Sequence, residues 1–337
     1  MGGDKAPEMV VAGVDIARKR LPQARFLLFG NEASLCPLIA RYPGIEGSCE
    51  IRHTDDVVSD DTQAGVALRS GRESSMRLAI NAVGSGEAGG VISAGNTGAL
   101  MAMAKFVLKT IPGIDRPGIA TYFPTERGES VMLDLGANVD CDADNLVQFA
   151  VMGEVFARHV LGLEQPSIGI LNIGVEGLKG NQAVKDASAT LQESPLPISF
   201  YGFVEGDDIM AGTVDVVVTD GFTGNVALKT AEGTVKMFAR FLREALNSSL
   251  IARAGAALAM PALNKFKMKV DPRRYNGAMM LGLNGICVKS HGGTDEIGFA
   301  NAIEVAAELI GHGFNESIKE DLGRLISTDG QQKAAVG

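Results

Sequence analysis

"VDVVVTDGFTGNVALK", residues 214–229, is the stretch on which the fold turns. Five residues of buried-strand type, 214–218, hold a single Asp and give way to a run with two glycines, two threonines and an asparagine. Apolar residues at helical spacing follow at once. Such an exit from a strand has two readings. Gly221 and Gly224 can make a tight strand-to-helix turn, because glycine adopts torsions that other residues avoid. They can also let backbone N–H groups approach an anion at the positive end of the next helix.

The design recurs. "GGVISAGNTGALMAMAKFV" (89–107) runs from an apolar strand through Asn96, Thr97 and Gly98 into an apolar helix. "VMLDLGANVDCDADNLVQFAVMG" (131–153) does the same, and so does "IGILNIGVEGLKGNQAVKDA" (168–187), with Lys179 in its loop. Strands alternating with helices imply an α/β fold around a doubly wound, mostly parallel sheet. The four loops are then expected at one carboxyl edge, where open α/β sheets bind ligands.

A chain of 337 residues, 46% apolar, can build one large α/β unit or two smaller ones. A net charge of −9 argues against nucleic acid as a partner. The cysteines Cys36, Cys49, Cys141 and Cys287 form no CxxC pair, as expected in a reducing cytoplasm without structural zinc. The start "MGGDKAPEMVV" has no signal-peptide core, and Ala6 stands where a myristoylation signal wants Ser or Thr. The longest uncharged run, 88–104, holds four glycines and is shorter than the roughly 20 apolar residues of a membrane span. The expectation is a soluble, cytoplasmic protein.

Periodicity predicts helices over 7–20, 31–41, 73–83, 97–110, 143–161, 181–192, 225 to about 246 and 294–311, and a short one to about 326. Strands are predicted at 25–30, 49–54, 90–93, 118–123, 130–135, 167–173, 197–203 and 214–219. "MMLGLNGICVK" (279–289) reads as a hairpin turning at Asn284–Gly285. Residues 1–327 form one domain with a helical protrusion over about 232–276, and 328–337 a disordered tail. Inside the protrusion "AGAALAMPALN" (254–264) is uncharged and broken by Pro261. Lys265, Lys267, Lys269, Arg273 and Arg274 follow within ten residues. An apolar loop beside a basic cluster on an acidic protein fits an acidic partner or an anionic membrane surface, and equally a helical hairpin on a second subunit.

Other motifs carry less. "GSGEAG" (84–89) has dinucleotide-fingerprint spacing but joins a helix to a strand, the reverse of what pyrophosphate binding needs. "DCDADN" (140–145) starts like a calcium loop, yet Asn145 and Val151 replace the required Gly and Glu, so Asp142 or Asp144 is expected to cap a helix. His291, in "KSHGGTDEIGFA", stands between structural and functional readings. No Gly-x-Ser-x-Gly elbow and no cysteine in a nucleophile loop is present.

In order along the chain, "MGGDKAPE", "SSMR" (74–77), "SAGNTGAL" (93–100), "LDLGANVDC" (133–141), "ILNIGVEGLKG" (170–180), "DGFTGNVALK" (220–229), "YNGAMMLGLNG" (275–285) and "KSHG" (289–292) resemble the phosphate acyltransferases of bacterial phospholipid synthesis (PlsX type). The resemblance covers essentially the whole chain. It implies a sheet like that of isocitrate and isopropylmalate dehydrogenases and of phosphotransacetylases, in a homodimer formed through long helices. It implies transfer of a fatty acyl group from acyl carrier protein to inorganic phosphate, giving acyl phosphate for glycerol-3-phosphate acylation, with no cofactor and no metal. The carrier protein, an anionic membrane touched peripherally and the downstream glycerol-3-phosphate acyltransferase are the implied partners. Lys179 and Asn225 carry the implied catalytic roles, with Gly3, Asp4, Ser93, Asn96, Thr97, Asn138, Thr223, Gly224 and His291 lining the pocket. Lys265, Lys267, Lys269, Arg273 and Arg274 would meet carrier protein and membrane.

Two other classes fit the same pattern of elements. One is a nicotinamide- and metal-dependent decarboxylating dehydrogenase, which wants an arginine set and a carboxylate metal site. The other is a non-enzymatic scaffold for carrier protein and membrane. Coenzyme A as acyl donor is a nearer variant that the basic cluster disfavours. The motif at Met1 further leads to the expectation of a strand preceding Gly2, encoded upstream of the present start.

Overall fold

The computed structural model describes residues 1–194, 198–269 and 271–323; the predicted tail 328–337 lies outside them. In chain order the elements are α1 (Glu8–Arg20), β1 (Phe26–Gly30), α2 (Glu32–Ile39), β2 (Cys49–His53), α3 (Ala64–Ser70), α4 (Ser75–Gly84), β3 (Gly90–Ser93) and α5 (Thr97–Leu108). There follow β4 (Gly118–Pro124), β5 (Glu129–Leu133), α6 (Ala143–Leu161), β6 (Ser167–Leu171), α7 (Gln182–Gln192), β7 (Ser199–Val204), α8 (Asp208–Ala211) and β8 (Val216–Val218). The chain continues through α9 (Gly221–Asn247), α10 (Leu250–Lys269), a 3₁₀ turn (Pro272–Tyr275), β9 (Ala278–Leu281), β10 (Ile286–Lys289) and α11 (Glu296–Gly311). Residues 314–323 are helical as well.

Side-chain oxygens start most of the long helices, each taking up an N–H that the first turn cannot bond internally. Asn96 opens α5 by accepting from Ala99 N, Asn181 opens α7, Asp220 opens α9 and Asp295 opens α11. Asp142 and Asn145 form a reciprocal capping box on α6, the capping role expected for Asp142.

β1 and β2 form a parallel pair of their own. The main sheet has the order β3-β10-β9-β4-β5-β8-β6-β7. The β3/β10, β5/β8, β8/β6 and β6/β7 pairs are parallel. The β10/β9, β9/β4 and β4/β5 pairs between them are antiparallel. Three successive reversals turn the second half of the sheet against the first. The loops following the strands therefore do not share one edge, as expected from the sequence, but two. The ends of β3 and β10 open on one edge, and those of β5, β6 and β8 on the opposite one. The cause is the insertion of β4 and of the β9–β10 hairpin, whose direction no single strand sequence states.

Successive strand residues face opposite layers, so Leu133, Val216 and Val218 join one core with Phe149, Phe156 and Ile168 beneath α6 and α7. Met132 and Val217 join another with Ile80, Leu100 and Met103 beneath α4 and α5. A third core, with Val11, Val14 and Ile45, packs α1 and β1–β2 on Phe299 and Ile303 of α11.

Four further details depart from the sequence reading. α3 and α8 were not foreseen, being only 7 and 4 residues long. α9 begins four residues earlier than predicted, at Gly221. α10 runs through Pro261 without breaking; Ala257, whose carbonyl loses its helical partner there, is solvent-exposed. The turn of the β9–β10 hairpin spans 282–285, four residues rather than the two centred on Asn284–Gly285.

Candidate active site

At the β5/β8 edge the chain is packed around one carboxylate. Asp134 is 0% exposed, and five N–H groups point at it. Oδ1 accepts from Ile119 N at 2.8 Å, Gly136 N at 3.2 Å and Ala137 N at 3.1 Å. Oδ2 accepts from Asn138 N at 2.8 Å and Asn138 Nδ2 at 2.9 Å. Burial raises the pKa of this carboxyl, and the backbone donors pull the other way. The N–H groups of the 134–138 loop thus face an internal anion. The amide of Asn138, read as a pocket donor, divides its N–H groups between Asp134 and the Pro117 carbonyl.

α9 starts directly on this loop. Gly221 N donates to Asn138 O at 2.7 Å. A Cβ on Gly221 would lie 2.6 Å from Asn138 O, and one on Gly224 only 1.9 Å from Asp134 O. Neither glycine adopts a positive φ. Of the two readings of the opening stretch, special torsion therefore falls away, and close approach of two backbones explains both glycines. Thr223 is held by Asp220 through its N–H and its hydroxyl, both at 2.8 Å. Asn225 is exposed, its side chain lying over Gly136, where an added Cβ would come within 3.6 Å of it.

β6 lies beside β8 and parallel to it, so the loop after β6 leaves the same edge. Asn172 ties that loop together through Gly174 O and Lys179 O. Lys179 is half-exposed and pairs with Glu176 at 3.0 Å. Exposed apolar side chains accompany it: Ile173, Val175 and Leu178 in the loop, and Phe222 and Val226 on the first turns of α9.

The β3/β10 edge is assembled differently. Asp4 N donates to Gly292 O at 3.0 Å, and Gly3 fits so tightly that a Cβ would meet Ala94 Cβ at 2.9 Å. Ser93 accepts from Ser290 N through its carbonyl and from Gly95 N through its hydroxyl. Asn96 caps α5 while its amide donates to Asp60 O at 2.8 Å and Thr62 O at 2.9 Å. Thr97 beyond it is exposed. His291 is exposed, its N–H donating to Asn276 Oδ1 at 2.9 Å and its Nδ1 accepting from Gly293 N at 3.0 Å. Partial desolvation, then the positive charge of Lys229 on α9, lowers the pKa of His291.

The predicted residues therefore form two groups. Gly3, Asp4, Ser93, Asn96, Thr97 and His291 gather at one edge; Asn138, Thr223, Gly224 and Asn225, with the Lys179 loop, occupy the other. α9 connects them. It leaves the second edge at Gly221 and carries Lys229, about 12 Å along its axis at 1.5 Å per residue, toward His291 at the first.

The basic cluster is not uniform. Lys265, Lys267 and Lys269 are exposed on the last turns of α10. Arg273, expected among the docking cations, is bound internally: it pairs with Asp271 at 2.5 Å and with Asp295 at 3.0 Å, tying the 3₁₀ turn to the start of α11. Arg274 reaches Met268 O at 3.5 Å.

Sequence reasoning passed over two residues. Asp134 sits inside a quoted motif but reads as any acidic loop residue until its burial is known. Lys289, at the end of β10, donates to Ala94 O at 3.0 Å and to Ser290 O. Burial lowers its pKa to about 8, against the influence of Asp60 and Asp4. The only sequence signal was a lysine closing an otherwise apolar strand.

Comparison with known proteins places this geometry. A family model described as "Fatty acid synthesis protein" matches residues 1–317. The phosphate acyltransferase of Paramagnetospirillum magneticum is 64% identical over 325 residues, covering 96% of this chain and 93% of the relative. That of Rhodospirillum rubrum is 63% identical over 325 residues, with the same coverage of both chains. Among solved structures, a phosphotransacetylase from Streptococcus pyogenes superimposes with a TM-score of 0.61 at 18% identity, covering 90% of each chain. A branched-chain phosphotransacylase from Enterococcus faecalis gives 0.52 at 16% identity, over 92% of this chain and 97% of its own. At such identities these structures share the fold alone. With most of its length matched by the family model and by relatives at over 60% identity, this chain belongs to the fatty acid synthesis protein family.

Proposed function

We propose that this chain is a phosphate acyltransferase, moving a fatty acyl group from the thioester of acyl carrier protein to inorganic phosphate. A phosphate oxygen attacks the thioester carbonyl carbon, an oxyanion forms, and its collapse expels the carrier thiolate and leaves an acyl–phosphate anhydride. Phosphate is already a nucleophile near neutral pH, and a thiol with a pKa of about 8.5 leaves readily as thiolate. Positioning and oxyanion stabilisation are what the protein must add. Lys179 and Asn225 fill those roles, with Thr223 beside them and Asn138 and Gly224 fixing the start of α9 beneath; Ser93, Asn96, Thr97 and His291, with Gly3 and Asp4, form the opposite β3/β10 edge, which α9 joins to this one. The observation carrying this reading is the parallel adjacency of β5, β8 and β6, from which the loops of Asn138, Asn225 and Lys179 leave at one edge. The exposed pair of Lys179 with Glu176 is of a kind worth little, so an arriving phosphate can take the lysine over. Ile173, Leu178, Phe222 and Val226 offer the acyl chain an apolar path beside it.

The hairpin of α9 and α10 completes the working molecule. α10 has no buried residue, and Val235, Phe238 and Leu242 expose an apolar stripe along one face of α9. Bare apolar surface of this kind marks an interface, here with a second copy, giving a homodimer. Lys265, Lys267 and Lys269 meet acidic carrier protein and anionic lipid. Among the described residues no helix is long and apolar enough to cross a membrane.

Acyl phosphate formation from acyl carrier protein thioester and phosphate tests the reading directly. Lys179→Ala and Asn225→Ala should each lower kcat about a hundredfold or more. Folded variants with near-full turnover would remove both residues from the site. Lys265→Glu/Lys267→Glu should raise the KM for the carrier substrate and weaken binding to anionic vesicles, most visibly at low salt.

A further inference from the structure

Asp134 cannot touch a substrate: it is 0% exposed, and both its oxygens are surrounded by N–H groups. All five of its partners are donors, so the site is built around a carboxylate. The bonds run in a definite direction. Oδ1 folds Gly136 and Ala137 inward, Oδ2 holds Asn138 at two points, and Asn138 O then receives the first N–H of α9. The Asp134 carbonyl is the surface on which Gly224 rests, with no room for a methyl group between them. The adjoining backbone closes the frame, since Asp134 N donates to Thr219 O at 3.0 Å and Thr219 N to Leu133 O at 2.7 Å. Asn225, the next residue of the helix, lies over Gly136.

We propose that Asp134 is a positioning residue for acyl transfer: its carboxylate shapes the 134–138 loop into the seat that fixes the first turn of α9 and thereby the Asn225 amide. The inference rests on Asn225 meeting the reacting groups. It adds that the orientation of that amide is imposed from below by a buried anion. Transfer chemistry is steep in such alignment, because a donor displaced by a fraction of an ångström no longer meets the developing oxyanion.

Asp134→Asn is the test, since it keeps shape and exchanges one acceptor oxygen for an NH₂ that must face N–H groups. Measured where circular dichroism shows the variant folded, kcat should fall about tenfold or more while the KM for the acyl donor stays near wild type. The same substitution made in Asn225→Ala should change kcat less than about twofold, because the effect passes through Asn225. Asn138→Ala removes one donor from the cluster without disturbing the carboxylate, and serves if the first variant does not fold. It should show a smaller kcat loss, again absent in the Asn225→Ala background. Equal losses with and without Asn225, or an unchanged kcat for both single variants, would overturn the proposal. Near-full activity of Asn225→Ala itself would instead overturn the site reading on which it stands.

Discussion

Two edges of one sheet carry loops of nearly the same composition, and they use their backbone N–H groups differently. At the β5/β8 edge the glycines bring two backbones together, and the loop N–H groups close on Asp134, with Asp220 capping the helix above. At the β3/β10 edge the cap on α5 is the neutral Asn96, and the charged groups nearby include Lys289 and, across on α9, Lys229. Gly, Asn, Thr and Asp after a strand therefore do not by themselves announce an anion site. An internal carboxylate can take up the donors that such a loop supplies.

The sharpest way to break this contrast is a methyl group at matching places. In Gly224→Ala the new Cβ would lie 1.9 Å from the Asp134 carbonyl oxygen, a backbone atom that cannot turn aside. The loop and helix must part, at a cost of about 3 kcal/mol and with loss of turnover. In Gly98→Ala, at the start of α5, the nearest atoms are Asn96 Oδ1 at 3.5 Å and Ala64 Cβ at 3.6 Å, an ordinary contact. Its stability should stay within about 0.5 kcal/mol of wild type or improve slightly, since alanine favours helix over glycine. Urea unfolding of the two variants decides the matter; equal midpoints would mean the two edges are packed alike.

A smaller effect is expected where one side chain serves both cap and crosslink. Asn96 accepts from Ala99 N and donates to the carbonyls of Asp60 and Thr62, so Asn96→Ala releases α5 from the 59–62 loop as well as removing its cap. The expected loss is about 1–2 kcal/mol, read as a lower unfolding midpoint. A kcat loss matching that of Asn225→Ala in a fully folded variant would show that Asn96 acts on substrate and not only on its own helix.

Much of the fold was legible because it is written locally. The alternation of strand and helix, the Asp142 cap and the β9–β10 pairing all follow from patterns within some twenty residues. The β9–β10 turn is longer than Asn284–Gly285 implied, since a dipeptide marks a turn without fixing its length. What stayed hidden depends on non-local direction and burial. Three antiparallel pairings decide that the loops open on two edges, and the one between β4 and β9, strands far apart in the chain, is signalled by neither strand. Asp134 and Asp142 stand eight residues apart in one motif region and look equivalent as letters; one anchors a buried loop and the other caps a helix. The surroundings of Lys289 and Arg273 were hidden for the same reason. A lysine of strand β10 proved largely enclosed, and an arginine assigned to the docking cluster is bound to Asp271 and Asp295.

Lys289 gives the finest test of the contrast between the edges. Its ammonium is held by the carbonyls of Ala94 and Ser290, with the carboxylates of Asp4 and Asp60 as the nearest compensating charges and His291 two residues on. Burial brings its pKa down to about 8 from the 10.5 of a free lysine. Between those values the unfolded chain holds a proton at this position that the folded chain has released. Stability from this group must then rise with pH from about 8 toward 10.5, because stability rises wherever the unfolded state binds more protons. Below pH 8 both states are protonated and the contribution is flat. Lys289→Met removes the titration. The Tm difference, wild type minus variant, should therefore be constant from pH 6 to about 7.5 and then shift by a few degrees in favour of the wild type by pH 10. A difference that stays level across the whole range, or shifts toward the variant, would mean that Lys289 is solvated and that the β3/β10 edge does not enclose its cation.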